Sequence, residues 1–85
     1  MKNLIKRNYQ SIVKRGLINS ETTMEEFIDK LCEETDELIN YQNFENFKEE
    51  LCDIILVCFN IAEHNGINIK KELKKKIKIN EKRGE

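Results

Sequence analysis

The chain has 85 residues, of which 39% are hydrophobic and 36% are charged, with three glycines and no proline. This composition excludes collagen-like and Pro/Gly-rich disordered chains, and the length predicts a single domain over residues 1–85. No apolar run approaches the ~18 residues of a membrane span, and the N-terminus does not resemble a secretory signal. We therefore expect a cytoplasmic protein with no membrane partner.

Helices are predicted throughout, because no proline interrupts the chain and no segment alternates with the two-residue period of a strand. The first helix covers residues 2–15, and Gly16 suits its C-terminal end. The second covers residues 23–41, with Thr22 or Thr23 as its N-cap and a glutamate three residues later. Apolar residues in both segments recur with the spacing of an amphipathic helix.

The third and fourth helices are predicted over residues 45–64 and 68–82. Residues 54–59 are apolar on every side, and such a helix must be covered all round. One neighbour in so short a chain cannot do this. We therefore expect an all-α bundle of about four helices whose core is completed by self-association, as a dimer or a tetramer. Ile69, Leu73 and Ile77 are expected to face inward.

The three cysteines, Cys32, Cys52 and Cys58, form no C-x-x-C pair. Neither a disulfide framework nor a zinc knuckle is expected. Each cysteine falls at an apolar helical position, which favours a small buried side chain. The only histidine, His64, is expected to cap a helix or lie on the surface.

Charge is distributed unevenly along the chain. Residues 70–85 carry eight Lys and Arg against three Glu, whereas residues 1–69 carry seven Lys and Arg against thirteen Asp and Glu. A basic tail on an acidic body can bind nucleic acid, or it can hold an anion beside a metal bound by the acidic body. It can also be an ordinary solvated face.

Two pairs of carboxylates lie on the second and third helices. Glu34 and Glu37 are three residues apart, as are Glu50 and Asp53, so each pair shares a helical face. At about 100° per residue, both pairs lie at similar angles, in the same rotational sense, from the apolar stripe of their helix. The short polar turn Tyr41-Gln42-Asn43 makes the two helices antiparallel neighbours. This predicts that all four carboxylates meet at one edge of the helical hairpin. Glu33 is expected to be an exposed or interfacial charge.

Carboxylates clustered in this way repel one another unless a cation lies between them. Oxygen ligands select magnesium, manganese or calcium. A di-iron site is disfavoured, because it requires Glu-x-x-His and His64 directly follows Glu63. Lys30, one turn before Glu34, is expected to form an i,i+4 ion pair, with contact to a phosphate as the alternative. The alternative without a metal is that these carboxylates form an ordinary solvated face of the two helices.

These residues resemble the MazG-type all-α nucleoside triphosphate pyrophosphohydrolases over roughly residues 20–83. That family carries E-E-x-x-E, a spacer of a dozen or more residues, and E-x-x-D. In this chain Glu33, Glu34 and Glu37 match E-E-x-x-E, and Glu50 and Asp53 match E-x-x-D. Twelve residues separate the two motifs. The family also tends to end in a helix with K-x-x-x-N-x-x-R, which Lys76, Asn80 and Arg83 match.

The resemblance implies an assembly of two or more chains that hydrolyses an NTP or dNTP to the monophosphate and pyrophosphate with Mg²⁺, or with Mn²⁺ as the alternative ion. By the same analogy Glu34, Glu37, Glu50 and Asp53 hold the metal, and Glu37 orients or deprotonates the attacking water. Lys76, Asn80 and Arg83 would bind the substrate. The rival interpretation is a non-enzymatic dimeric helical module that binds nucleic acid through its basic C-terminal helix. Under the pyrophosphohydrolase interpretation, nucleic acid is not an expected partner.

Overall fold

The computed structural model describes residues 2–83. Over that range it has four helices and no strand, which confirms the all-α fold. The helix bounds lie within two residues of those predicted. They are α1 (Lys2–Lys14), α2 (Met24–Ile39), α3 (Phe44–His64) and α4 (Ile69–Arg83). Within residues 2–83, no helix combines the length and the apolar character that crossing a membrane requires.

Side-chain caps fix where α2 and α3 begin. Thr23 caps α2, and its hydroxyl oxygen accepts a hydrogen bond from the backbone N–H of Glu26 at 3.2 Å. Asn43 caps α3 in the same way, accepting from the N–H of Asn46 at 2.8 Å. Each cap satisfies a backbone donor that has no partner inside its helix.

Glycines in the left-handed conformation end α1 and α3. Gly16 has φ of +76° and Gly66 has φ of +66°, a backbone region that other residues rarely adopt. After Gly16, the N–H of Leu17 donates back to the carbonyl oxygen of Ile12 at 3.2 Å. This pairing satisfies a carbonyl in the last turn of the helix and reverses the chain direction. The same pattern follows Gly66.

The core forms around α3, which packs against both α1 and α2. No residue of α4 is buried, so the last helix adds little to this core. Two polar residues, Glu34 and Asn60, are buried among the apolar ones. The buried apolar side chains are Ile5, Ile18, Phe27, Val57 and Ala62.

Several residues that were expected to be buried are exposed in the single chain. All three cysteines are exposed, so the prediction of buried thiols is wrong at this level of structure. Leu73 and Ile77 of α4 are also exposed, and only Ile69 of the predicted inward residues is partly covered. The physical reason is that α1 and α2 cover only part of α3, and that α4 makes too few contacts with the rest of residues 2–83 to bury any of its side chains.

His64 joins three parts of the fold, which corrects its prediction as a cap or surface residue. Its Nε2 lies 3.1 Å from the carbonyl oxygen of Thr22, and its Nδ1 lies 2.9 Å from the hydroxyl of Tyr9. A carbonyl can only accept, so Nε2 donates and Nδ1 accepts from the tyrosine. The Phe27 ring packs edge-on against the imidazole at 4.9 Å. His64 therefore ties α1 and the linker before α2 to the end of α3.

We expect Tyr9→Phe to lower the free energy of unfolding by about 1 kcal/mol, because it leaves the partly buried Nδ1 of His64 without its donor. Urea denaturation of the two proteins measures this difference. Tyr41→Phe is the matched control, because Tyr41 is largely exposed. Equal stability of the Tyr9→Phe variant and the unsubstituted chain would show that the His64 junction contributes nothing.

Candidate metal centre

Two adjacent helices bring four carboxylates together. Glu34 and Glu37 of α2 and Glu50 and Asp53 of α3 each offer an oxygen, and these oxygens all lie within 4.8 Å of one another. Each helix contributes two carboxylates, and all four reach the same edge of the α2–α3 pair. This arrangement agrees with the helix-phase argument from the sequence.

The cluster runs from the protein interior to the surface. Glu34 is only 7% exposed, Glu50 is half-buried, and Glu37 and Asp53 are exposed. A metal held here would therefore be anchored from inside and remain open to solvent on its outer side. Such an opening suits an ion that keeps water ligands or binds a substrate directly.

Two buried oxygens of the cluster are left without partners. Glu34 Oε1 lies 3.0 Å from the ammonium of Lys30, and Glu50 Oε1 accepts from the amide of Asn46 at 3.3 Å. The second oxygens of Glu34 and Glu50 are buried and have no hydrogen-bond partner within the described residues. A buried, unsatisfied carboxylate oxygen is costly, so this pair of oxygens fits a cation that the four carboxylates would share.

The crowding of carboxylates changes their affinity for protons. Hydrogen bonding with Glu50, together with the charge of Glu34, raises the pKa of Glu37 above its ordinary value. Desolvation, together with the charges of Glu34 and Glu50, raises the pKa of Asp53. Both raised pKa values favour the protonated, neutral form of the group. The site therefore attracts protons when no other cation is bound.

A cavity of about 450 Å³ lies beside the cluster, between α1, α2 and α3. Glu34 and Asp53 line it, so the cluster and the cavity share a wall. Within the cavity the Asn8 amide donates to Asn60 Oδ1 at 2.9 Å. The apolar part of the lining is formed by Ile12, Leu17, Ile18, Phe27, Leu56 and Val57, and the rest is polar or charged and includes Arg15 and Glu26.

Sequence reasoning missed the asparagine pair. Asn8 and Asn60 are 52 residues apart, and no local pattern connects them. The one available signal is that Asn60 directly follows the apolar run over residues 54–59, where a polar residue has to find a partner.

The other predicted site residues fall in different places. Lys30 forms the predicted i,i+4 ion pair with Glu34, and Glu33 is an exposed charge 3.8 Å from the same lysine. Lys76, Asn80 and Arg83 are exposed on α4. Within α4 as described, no residue lines the cavity or belongs to the carboxylate cluster. A single chain therefore does not bring these three residues to the candidate centre.

Comparison with models of known protein families, with curated proteins and with solved structures gives no match to this chain. What defines the chain is its own geometry: an antiparallel α-helical pair with a half-buried carboxylate cluster beside a cavity of mixed polar and apolar lining. The assignment of function therefore depends on what that site can bind.

We compare the free energy of unfolding of the metal-free protein with that of a Glu37→Gln/Asp53→Asn variant. Between about pH 5 and about pH 7, we expect the wild-type chain to lose stability relative to the variant. Both carboxyl groups have raised pKa values in the folded chain, so the folded state holds more protons than the unfolded state above the ordinary carboxyl range. That contribution to stability is present at low pH and is lost as the pH rises through the folded pKa values.

Thermal melts in a chelating buffer at the two pH values measure this effect. The double variant should also be the more stable protein at neutral pH, because it carries two fewer negative charges in the cluster. The contrary result is a wild-type chain whose stability changes between about pH 5 and about pH 7 in the same way as that of the variant, or more favourably. It would contradict repulsion among the four carboxylates.

Proposed function

We propose that this chain is a Mg²⁺-dependent nucleoside triphosphate pyrophosphohydrolase, which converts an NTP or dNTP and water to the monophosphate and pyrophosphate. The observation that carries the proposal is the buried carboxylate of Glu34 at the centre of an all-oxygen cluster, with unpartnered oxygens on Glu34 and Glu50. Magnesium is commonly bound by a few carboxylates together with substrate phosphates. Mn²⁺ prefers similar oxygen ligands.

The residues of the cluster would have distinct roles. Glu34, Glu50 and Asp53, with Glu37, would hold the ion, which supplies charge neutralisation and polarisation of the α-phosphoryl group. Glu37 would also accept a proton from the attacking water, because its carboxylate is exposed and reaches the solvent side of the cluster. Phosphoryl chemistry depends mainly on positioning and charge stabilisation, so no Ser, Cys or His nucleophile is required.

The neighbouring cavity supports an organic phosphate as the ligand. The apolar part of its lining suits the base of a nucleotide, and the amides of Asn8 and Asn60 offer hydrogen bonds. Because Glu34 and Asp53 belong to both the cavity and the cluster, a nucleotide lying in the cavity would direct its phosphates toward the metal.

Incubation of the purified chain with Mg²⁺ and a panel of canonical and modified NTPs and dNTPs should release pyrophosphate from at least one of them. Glu37→Gln should lower the rate by about a hundredfold or more, as expected for loss of a general base. Asp36→Asn is the matched control, because Asp36 is an exposed carboxylate on the same helix outside the cluster. It should leave the rate unchanged.

Failure to release pyrophosphate from any nucleotide, with either Mg²⁺ or Mn²⁺, would contradict the proposal. The rival module would then be identified by salt-sensitive binding of nucleic acid that survives Glu50→Gln and Asp53→Asn. That module would bind through the exposed lysines of α4.

We also propose that the chain self-associates. Large apolar side chains remain exposed on every helix, and α4 has no buried residue. Lys76, Asn80 and Arg83 lie outside the site of their own chain, so they would contact a substrate only from a second copy. Exposed apolar residues of α3 and α4 include Leu51, Ile55, Leu73, Ile77 and Ile79.

Sedimentation equilibrium should therefore give a dimer or a tetramer. Ile55→Glu should shift the equilibrium toward the monomer, because a charge cannot be buried unpaired in an apolar interface. Gln10→Glu places the same charge at an exposed position of α1 and serves as the control. A wild-type chain that sediments as a monomer at all concentrations would contradict self-association.

A further inference from the structure

We infer that Lys30 offsets the charge of Glu34 in place of the divalent cation while the site is metal-free, and moves to the phosphate groups of the ligand when a metal binds. This role rests on the proposed function, because it requires both a metal and a phosphate-bearing ligand. It goes beyond that function by assigning one side chain two partners in succession.

The geometry of Lys30 sets it apart from the other lysines of the chain. Its ammonium lies 3.0 Å from Glu34 Oε1 and 3.8 Å from Glu33 Oε2. The Glu34 side chain is 9% exposed and that of Lys30 is 52% exposed, so the lysine reaches from the surface to a buried carboxylate. Among the salt bridges of the described residues, no other one involves a member of the cluster. Lys30 is thus the cation that offsets part of the charge of the cluster.

An ammonium and a divalent metal cannot both hold the same carboxylate without cost. The metal would take the second oxygen of Glu34, which is buried and has no hydrogen-bond partner within the described residues, and this places it close to the ammonium on the first oxygen. Three positive charges within a few ångströms also repel one another strongly. Because half of the Lys30 side chain is in solvent and its stem is flexible, it can leave Glu34 at low cost. Metal binding therefore displaces it.

The cavity determines where the displaced ammonium goes. Lys30 lines the cavity together with Glu34 and Asp53, so it lies where the cavity meets the cluster. A phosphate that bridges from the cavity to the metal would pass this point. A compact, mobile point charge suits phosphate oxygens.

The exchange predicts two effects of opposite sign for Lys30→Met, both measurable by titration calorimetry on the full chain. Binding of Mn²⁺ alone should tighten by about three- to tenfold, because the competing ammonium is gone. Binding of pyrophosphate in the presence of saturating Mn²⁺ should weaken by about tenfold or more, because its cationic partner is gone. Lys30→Gln should behave in the same way, which guards against a folding defect particular to one variant.

Lys48→Met is the matched control. The Lys48 ammonium lies 2.8 Å from Glu45 Oε1 on the exposed surface of α3, and neither residue belongs to the cluster. This substitution removes an equivalent ion pair and the same charge, and it should change neither affinity.

The outcomes separate this role from the function on which it rests. If the wild-type chain binds no Mn²⁺, the proposed function fails together with the role of Lys30. If the chain binds Mn²⁺ but Lys30→Met leaves both affinities unchanged, only the role of Lys30 is overturned. Weaker Mn²⁺ binding by Lys30→Met would mean that Lys30 only holds Glu34 in position. A change in pyrophosphate binding alone would mean that Lys30 contacts the phosphate without leaving Glu34 for it. Each of these two results also overturns the exchange.

Discussion

The candidate site depends on the accumulation of negative charge at one edge of the α2–α3 pair. Four carboxylates approach within 4.8 Å of one another, and the innermost, Glu34, is almost fully buried. Lys30 offsets part of the repulsion among them, and the pKa values of Glu37 and Asp53 are raised above their ordinary values. Hydrophobic contacts elsewhere hold this arrangement in place against its own electrostatics, and a divalent cation would relieve it. The same repulsion that destabilises the metal-free cluster would favour binding of a cation there.

The helix α3 has to serve the core and the site at once. Glu50 and Asp53 lie in its first half, Val57 and Ala62 contribute to the core, and His64 at its end binds groups of α1 and of the linker. Because α3 is the common neighbour of α1 and α2, its position determines both the carboxylate cluster and the adjoining cavity. A rigid α3 is therefore a condition for the site, and the polar contacts of His64 add to that rigidity.

Local sequence signals were sufficient for the helices and for the carboxylate cluster. Thr23, Asn43, Gly16 and Gly66 mark helix ends through short-range hydrogen bonds and backbone conformation. The cluster was predictable because three-residue spacing and helix phase act within each helix, and the short turn fixes how the two helices meet. Exposure was not predictable in the same way. Periodicity identifies an apolar face, but it does not say whether the same chain supplies the cover, as the exposed Leu73 shows.

The sequence by itself determined that this protein is helical, where its helices begin and end, and that two acidic pairs share an edge, because each of these follows from interactions over a few residues. Only the tertiary structure decided that Glu34 is the buried member, that its second oxygen lacks a partner, and that Asn8 meets Asn60 in a cavity beside it. These features depend on how α1 lies against α3, and on the burial that results. Contacts between residues 52 positions apart are set by the packing of whole helices, and no short sequence pattern encodes them.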